Sequence, residues 1–298
     1  MTSHPDDCPI CGNASPVFHL ACRDTTVSQR TFDLVRCTAC DFVWTQNPPS
    51  PDEIGRYYQS EDYIAHTDTR EGWVNRLFHV GRNWMLGRKR RLIRKFHPGD
   101  GRKLLDIGCG TGYFLAHMRD KGWQVAGVEP GDGARAFARS VFGLDILPSE
   151  ALDHFPSGQF DVITLWHALE HIHDLNGAAA RCRNLLREDG LLVIALPNRN
   201  SWDANHYGSP WAAWDVPRHL WHFSPETFRI WAKKNGLSLF ATKRMMLDAF
   251  YISMLSERTR SRLLAPALGL ISGLISNGVA LWNKDRCSSL IYLLRKKP

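Results

Sequence analysis

The chain has 298 residues, of which 44% are hydrophobic and 22% charged, with a formal net charge of +7. This balance excludes a disordered or low-complexity chain and allows one large domain plus a small module. The opening residues, MTSHPDDCPICGN, lack the charged-then-apolar order of a secretion signal, so the expected compartment is the cytoplasm.

Nothing in the sequence implies an oxidising compartment, so the eight cysteines are read by their spacing rather than as disulfides. Cys8-Pro-Ile-Cys11 and Cys37-Thr-Ala-Cys40 form two C-x-x-C knuckles. Each knuckle presents two thiolates, and two of them complete a tetrahedral zinc site. Between them, Ser15 to Val35 alternates apolar and polar residues as a small β-ribbon does. Four protein ligands leave zinc no open position, so the expected metal is structural. Cys22, Cys109, Cys182 and Cys287 are isolated and read as packed or free thiols.

Three prolines in Thr45 to Glu53 mark a linker or turn. Ile54 to His66 carries Tyr57, Tyr58 and Tyr63, which would cover a ligand or simply pack. From about Arg70 to His97 the pattern is helical, with Trp73, Leu77, Val80 and Trp84 on an apolar face. Its end is basic: Arg88, Lys89, Arg90, Arg91, Arg94 and Lys95. Such a run invites RNA or an anionic membrane. A solvated face at a helix C-terminus is the preferred reading.

The segment KLLDIGCGTG, Lys103 to Gly112, combines a short apolar strand with Gly108, Gly110 and Gly112, and a helical pattern follows from Tyr113. Strand, glycine loop and helix begin a nucleotide-binding βαβ unit. The spacing is G-x-G-x-G rather than the dinucleotide G-x-G-x-x-G, and Asp106 would repel a pyrophosphate. That carboxylate suits the sulfonium and ammonium of S-adenosylmethionine. A second strand, Gln124 to Val128, ends in Glu129, where an acid accepts hydrogen bonds from ribose hydroxyls. On these residues the chain resembles the class I S-adenosylmethionine-dependent methyltransferases. The resemblance implies an α/β, Rossmann-like sheet of seven strands, the last antiparallel, with helices on both faces. It places Asp106, Gly108, Cys109, Gly110, Gly112, Glu129 and Pro130 at the cofactor.

The strands continue at Leu144–Leu147, Phe160–Leu165 and Gly190–Leu196, with a helix at Ala134–Phe142. The resemblance sets Glu150 against the adenine amine, although Asp153 would serve as well. It sets Trp166 and His167 beside the methionine part. In WHALEHIHD, His167 and His171 are spaced i, i+4 as if sharing a helix face. Glu170 is not placed as in H-E-x-x-H, and methyl transfer requires no metal. Capping or core hydrogen bonding is the default for these histidines.

After the fifth strand comes NSWDANHYGSPWAAWDVPRHLWHFSPETF, crowded with tryptophans and histidines. Ligands bind beyond the carboxyl ends of such strands, so amphipathic aromatics with a few polar groups here describe an acceptor pocket. The string D-V-P-R-H-L-x-H-F-S-P resembles a subgroup of methyltransferases that also carry an N-terminal zinc ribbon. That resemblance implies a small-molecule or glycan acceptor: a sugar, a sugar nucleotide or a cell-surface glycan or lipid precursor. His219, then His222, is the candidate general base, with Asp215 orienting it or Arg218 holding an anionic acceptor. The alternative is that these residues brace the loop.

Ser224 and Pro225 start a helix. Leu237–Met245 and Ser289–Leu294 complete the strands around an insertion, Leu247 to Arg286. Its core, Leu263 to Trp282, is uncharged and about long enough to span a bilayer, yet contains Pro266, Asn277 and three glycines. Gly269, Ser272, Gly273 and Ser276 form a small-residue stripe, and Arg258, Arg260, Arg262, Lys284 and Arg286 flank it. A helical lid or homodimer surface, a peripheral membrane contact and a true span are the readings, in that order.

The expected organisation is a zinc ribbon over 1–46, a linker and helical segment over 47–97 and a methyltransferase domain over 98–298, with 247–286 as its insertion. An RNA methyltransferase, with nucleic acid as its partner, is the runner-up, favoured by ribbon and basic helix. The amide-acceptor box N-P-P-[YF] is absent, because the fourth strand ends in Trp166-His167-Ala168-Leu169. A non-catalytic scaffold is the third reading, which the intact loop and Glu129 oppose.

Overall fold

Alternation of apolar and polar residues near the N-terminus produces an antiparallel hairpin of β1 (Pro16–Arg23) and β2 (Thr31–Cys37). Asp24 closes its turn by accepting the N–H groups of Thr26, Val27 and Ser28 and the hydroxyl of Ser28. The computed structural model describes residues 7–58 and 73–297, with 73–80 and 82 described by backbone alone. The expected roles of Tyr63 and of the Trp73, Leu77 and Val80 side chains lie outside the described residues.

The short β3 (Val43–Thr45) pairs with β2 on one side. On the other it pairs with β8 (Trp221–His222), Val43 opposite His222 and Trp44 opposite Trp221. The result is a four-stranded sheet, β1-β2-β3-β8. One core unites the ribbon residues Phe32, Leu34 and Val43 with Tyr207, Trp211 and Trp214.

The second sheet holds β4 (Lys103–Ile107), β5 (Gln124–Val128), β6 (Phe160–Trp166), β7 (Leu186–Pro197), β9 (Leu237–Arg244) and β10 (Ser289–Lys296). Their order is β5-β4-β6-β7-β10-β9, with β4 parallel to both β5 and β6. Asn198 N donates to Ser288 O, and Met245 N to Ser289 O. The ends of β7 and β9 therefore meet the start of β10, which runs antiparallel to both.

The expectation of seven strands is corrected to six strands and one bridge among the described residues. Leu144–Leu147 contributes only the parallel bridge of Leu147 to Val128. Pro148 follows at once, and without an N–H it cannot extend the ladder.

The helices are α1 (Trp73–Phe96), α2 (Tyr113–Arg119), α3 (Asp132–Phe142), α4 (Leu175–Leu185), α5 (Trp202–Tyr207), α6 (Pro225–Lys234), α7 (Asp248–Arg258) and α8 (Ala265–Trp282). On α1, Trp84 is exposed beneath Arg88 rather than in a core, whereas Leu86 and Ile93 are buried. The α6 start is a capping box in which Ser224 and Thr227 satisfy each other's backbone N–H groups. The insertion is an α-hairpin of α7 and α8. Gly269 and Gly273 on α8 let it approach closely: a Cβ on Gly269 would fall 2.5 Å from Met254 Cα.

The chain divides into two interleaved compact units. One contains residues 1–60, 169–176 and 195–292, the other residues 61–168, 177–194 and 293–298. Within the first unit β3 takes its second neighbour from residues 221–222.

Candidate active site

The turn after β4 is built by backbone bonds. Gly108 N and Cys109 N both donate to Val128 O, at 2.9 and 3.2 Å. Gly108 has φ 71°, and a Cβ there would meet Ala168 Cβ at 2.6 Å, so only glycine fits. Cys109 fills the space over Gly127, where an added Cβ would lie 2.8 Å from its sulfur. Burial pushes the Cys109 thiol well up, keeping it a protonated packing group.

Glu129 grips this loop. Its Oε2 accepts from Gly110 N at 2.9 Å and its Oε1 from Gly131 N at 3.0 Å. Pro130 is exposed beside it, and Arg135 donates to the carbonyl oxygens of Glu129 and Pro130. Asp106 is buried and accepts from Thr164 Oγ1 at 2.5 Å. Burial raises its pKa to about 7, against the hydrogen bond of Thr164 and the charge of Lys89, with Glu129 adding to the rise.

Trp166 ends β6 half-buried and packs edge-on against Phe114 at 5.7 Å. Its Nε1 is buried without a hydrogen-bond partner among the described residues. His167 holds φ 54°, an uncommon conformation for a side chain of its size. The expected shared helix face of His167 and His171 is corrected: the segment is a three-residue 3-10 turn, Leu169–His171. Glu150 is exposed in another 3-10 turn, Ser149–His154, and Asp153 is committed to Arg181 at 3.0 Å.

One cation of this cradle was hidden within a basic run. Lys89 Nζ lies 4.2 Å from the Trp166 ring centroid and 5.6 Å from that of Phe114. Its i, i+4 relation to the buried Ile93 is the signal that would have turned it inward.

In the other unit the four expected metal ligands do meet. Cys8 Sγ is 3.5 Å from Cys40 Sγ, and Cys11 Sγ is 3.4 Å from Cys37 Sγ. Ligands held about 2.3 Å from zinc in a tetrahedron stand roughly 3.8 Å apart, so the four thiols fit that ion. The knuckles share one geometry. Gly12 N donates to Cys8 O, Asp41 N donates to Cys37 O, and both residues have positive φ. Asn13 Nδ2 adds a bond to Cys37 Sγ at 3.7 Å. Burial raises the Cys37 thiol, but backbone N–H groups of Cys40 and Ala39 and the thiols of Cys11 and Cys40 outweigh it, bringing the pKa down to about 7.

His219 is buried, and its Nδ1 lies 2.8 Å from Ala213 O. A carbonyl only accepts, so Nδ1 carries the proton and Nε2 offers a lone pair. His171 follows the same rule, with Nδ1 3.0 Å from Arg218 O and 2.9 Å from Tyr58 Oη. Burial and the neighbouring His219 lower its pKa to about 4. The two rings meet edge-on at 4.6 Å. Ligand-type atoms of Glu170, His171 and His219 lie within 4.8 Å of one another, a set able to accept a proton or hold a cation.

Thr45 Oγ1 donates to His219 O at 2.7 Å and lies 3.1 Å from His222 Nε2, which is therefore the donor of that pair. Burial, followed by nearby cations, drives the His222 pKa well below the ordinary value. That makes His222 a poorer base than its position in the sequence suggests.

Arg218 does not reach an acceptor: its guanidinium is spent on the fold. It donates to both oxygens of Asp215, to Tyr57 O and to Thr26 Oγ1, and lies 3.7 Å from Asp24. Asp215 is held at a pKa of about 2 by Arg218 despite its burial. It stands 3.8 Å from His219 Nε2, beyond hydrogen-bond reach, so Ala213 O rather than Asp215 orients that ring.

The aromatic segment is also packed more tightly than an open pocket. Trp211, Trp214 and Trp221 are buried, and their indole N–H groups bond Asp203, Gly208 O and Ile172 O. Only a shallow, solvent-open concavity with room for about one water remains, lined by Pro197, Arg199, Trp211, Ala213, His219, Trp221 and His222.

The parallel strands with the Glu129-held loop between β4 and the following helix are the architecture of an α/β, Rossmann-like fold. A family model described as a methyltransferase domain matches residues 82–242, and the chain belongs to that family. It is 29% identical over 152 residues to the ubiquinone biosynthesis O-methyltransferase of Stutzerimonas stutzeri (strain A1501), which covers 47% of this chain and 66% of that protein. It is 31% identical over 108 residues to the enzyme of the same name from Acinetobacter baumannii (strain ACICU), covering 34% and 46%. The matched stretch is thus under two thirds of these relatives' length.

Among solved structures, geranyl diphosphate C-methyltransferase from Streptomyces coelicolor A3(2) superposes with a TM-score of 0.54 at 15% identity, over 84% of this chain and 99% of that one. Phosphoethanolamine N-methyltransferase 2 from Haemonchus contortus gives 0.53 at 21% identity, over 87% and 64%. At such identities the likeness is one of fold.

Proposed function

We propose that this protein is an S-adenosylmethionine-dependent methyltransferase that acts on a hydroxyl of a small molecule. The cofactor would be held by Asp106, the 108–112 loop, Glu129 and Trp166. The loop fits it: the Glu129 carboxylate is half-exposed at the β5 end, and the buried Trp166 Nε1 is an unused donor. When bound, S-adenosylmethionine would supply an activated methyl group for transfer to the acceptor oxygen, its sulfur leaving as the neutral thioether of S-adenosylhomocysteine. Asp106 contributes the negative charge that a cationic ligand needs. Its raised pKa means that such a ligand displaces its proton near neutrality.

The base is His219. The single observation that carries this assignment is the Nδ1–H bond to Ala213 O, which fixes the tautomer with Nε2 able to take the acceptor's proton. The relatives named for O-methyl transfer in ubiquinone biosynthesis support a small hydroxyl acceptor. A sugar or glycan acceptor rests on the resemblance of the Asp215–Pro225 string alone. The cysteine knuckles would bind one structural zinc.

The test presents methyl-labelled S-adenosylmethionine to a panel of phenols, sugars, amines and RNA. Label should pass to a hydroxyl compound, and His219→Gln should lower that turnover by about 100-fold or more. Its affinity for S-adenosylhomocysteine should stay unchanged. Label on RNA or amines alone, or full turnover by His219→Gln, would refute the assignment.

A further inference from the structure

We propose that α8 is an in-plane interfacial helix that seats this protein on an anionic bilayer surface. The helix is sorted inside out. Its small and polar residues, among them Gly269, Ser272, Gly273 and Ser276, are buried. Its large apolar residues Leu270, Ile271, Leu274, Ile275 and Leu281 are exposed, and Trp282 at its end is 95% exposed. A water-soluble helix places these two sets the other way round. Among the described residues nothing covers this face, and its contiguous leucines and isoleucines exceed scattered surface apolars in kind.

The buried face excludes a span. Gly269 and Gly273 seat α8 against Met254 and Phe250 of α7. Ser276 Oγ donates to the buried Asp203 carboxylate, which also accepts from Trp211 Nε1 and Ser288 Oγ. A helix that crossed the bilayer alone would carry Ser272, Ser276 and Asn277 into hydrocarbon without those partners. Lying flat, α8 extends roughly 27 Å at 1.5 Å per residue and buries its outer face only to head-group depth.

Charge selects the occupant. Exposed Arg258, Arg260 and Arg262 precede the helix and Lys284 and Arg286 follow it, so cations stand at both ends of the apolar face. The acids near them are otherwise engaged: Glu257 is buried and Asp285 lies 3.7 Å from Arg229. Two copies joined through this face would bring like charges together at the rim. An anionic head-group layer meets both the apolar face and its cations. Trp282 suits the interface, where an amphipathic ring has one wet and one apolar side.

The test is sedimentation of the full chain with sucrose-loaded vesicles of phosphatidylcholine, with and without phosphatidylglycerol. Binding should be about tenfold or more stronger to the anionic vesicles and should fall in high salt. The double variant Leu270→Glu, Leu274→Glu should lose that binding while keeping S-adenosylhomocysteine affinity and the circular dichroism of the parent. The variant Arg258→Gln, Arg262→Gln should lose the preference for phosphatidylglycerol.

No sedimentation with anionic vesicles overturns the proposal, as does equal sedimentation of the Leu270→Glu, Leu274→Glu protein. A stable dimer in light scattering that the same double variant dissolves assigns the face to a second copy instead.

Discussion

The glycine cradle and the histidine-rich segment perform their work with different parts of the chain. In the cradle the decisive groups are backbone N–H donors of Gly110 and Gly131 and one carboxylate, Glu129. Their positions follow from a turn encoded within some thirty residues. In the histidine segment the decisive groups are side chains fixed by what packs against them: the nearby Ala213 O for His219, and from the N-terminal part of the chain Thr45 for His222 and Tyr57 O for Arg218. Local backbone chemistry is written locally, whereas side-chain orientation is written by whatever packs against it.

Metal removal divides the two regions most sharply. Structural zinc in small modules contributes on the order of 10 kcal/mol or more to folding. Chelation, or Cys37→Ser, should remove one zinc per chain in a native mass spectrum and loosen β1–β3. Because β3 supports β8, methyl transfer should collapse, while S-adenosylhomocysteine affinity changes by less than about threefold. Full turnover by the metal-free protein would show that the ribbon is not needed to hold His219.

Glu129→Ala should do the reverse. It leaves two loop N–H groups without their carboxylate and removes the proposed ribose acceptor, so affinity for S-adenosylhomocysteine should fall by about 100-fold, near 2.7 kcal/mol. Calorimetry would read this directly. Unaltered affinity would dissolve the contrast, since the cradle would then not be the nucleotide site.

Asp106→Asn gives the most specific effect, a change in pH slope alone. Burial raises the folded pKa from 3.8 to about 7, so between these values the folded protein keeps a proton that the unfolded chain has released. Stability of the ligand-free protein therefore declines as pH rises through that window, by at most a few kcal/mol. The asparagine variant should flatten the slope of urea midpoints between pH 4 and pH 7. An undiminished slope would assign it to another group.

The sequence discloses the cradle well because glycine spacing, Asp106 and Glu129 each state a backbone or charge requirement. It overstates the sheet, because Leu144–Leu147 has strand composition and only Pro148 tells that the ladder stops. On α1 it reverses inside and outside at two positions: Trp84 has the apolar character of a core residue yet lies open under Arg88, and Lys89 turns toward Trp166. Composition announces the tryptophans after β7 as a site, although Trp211 and Trp214 mainly build a core with Phe32 and Leu34. The four cysteines were readable in full, since C-x-x-C spacing already fixes each half of the cluster.

The pairing of β3 with β8 sets a timetable for synthesis. Thr45 and His219 are 174 positions apart. At cellular rates the ribosome needs roughly ten seconds or more to cover that distance. Until residues 221 and 222 are made, Val43 and Trp44 lack their β8 partners and form an unfinished sheet edge. An exposed apolar edge of this kind is a template for mispairing with other nascent chains. The two cysteine knuckles, complete by residue 40, give the waiting ribbon the means to hold its shape until the rest of its sheet is made.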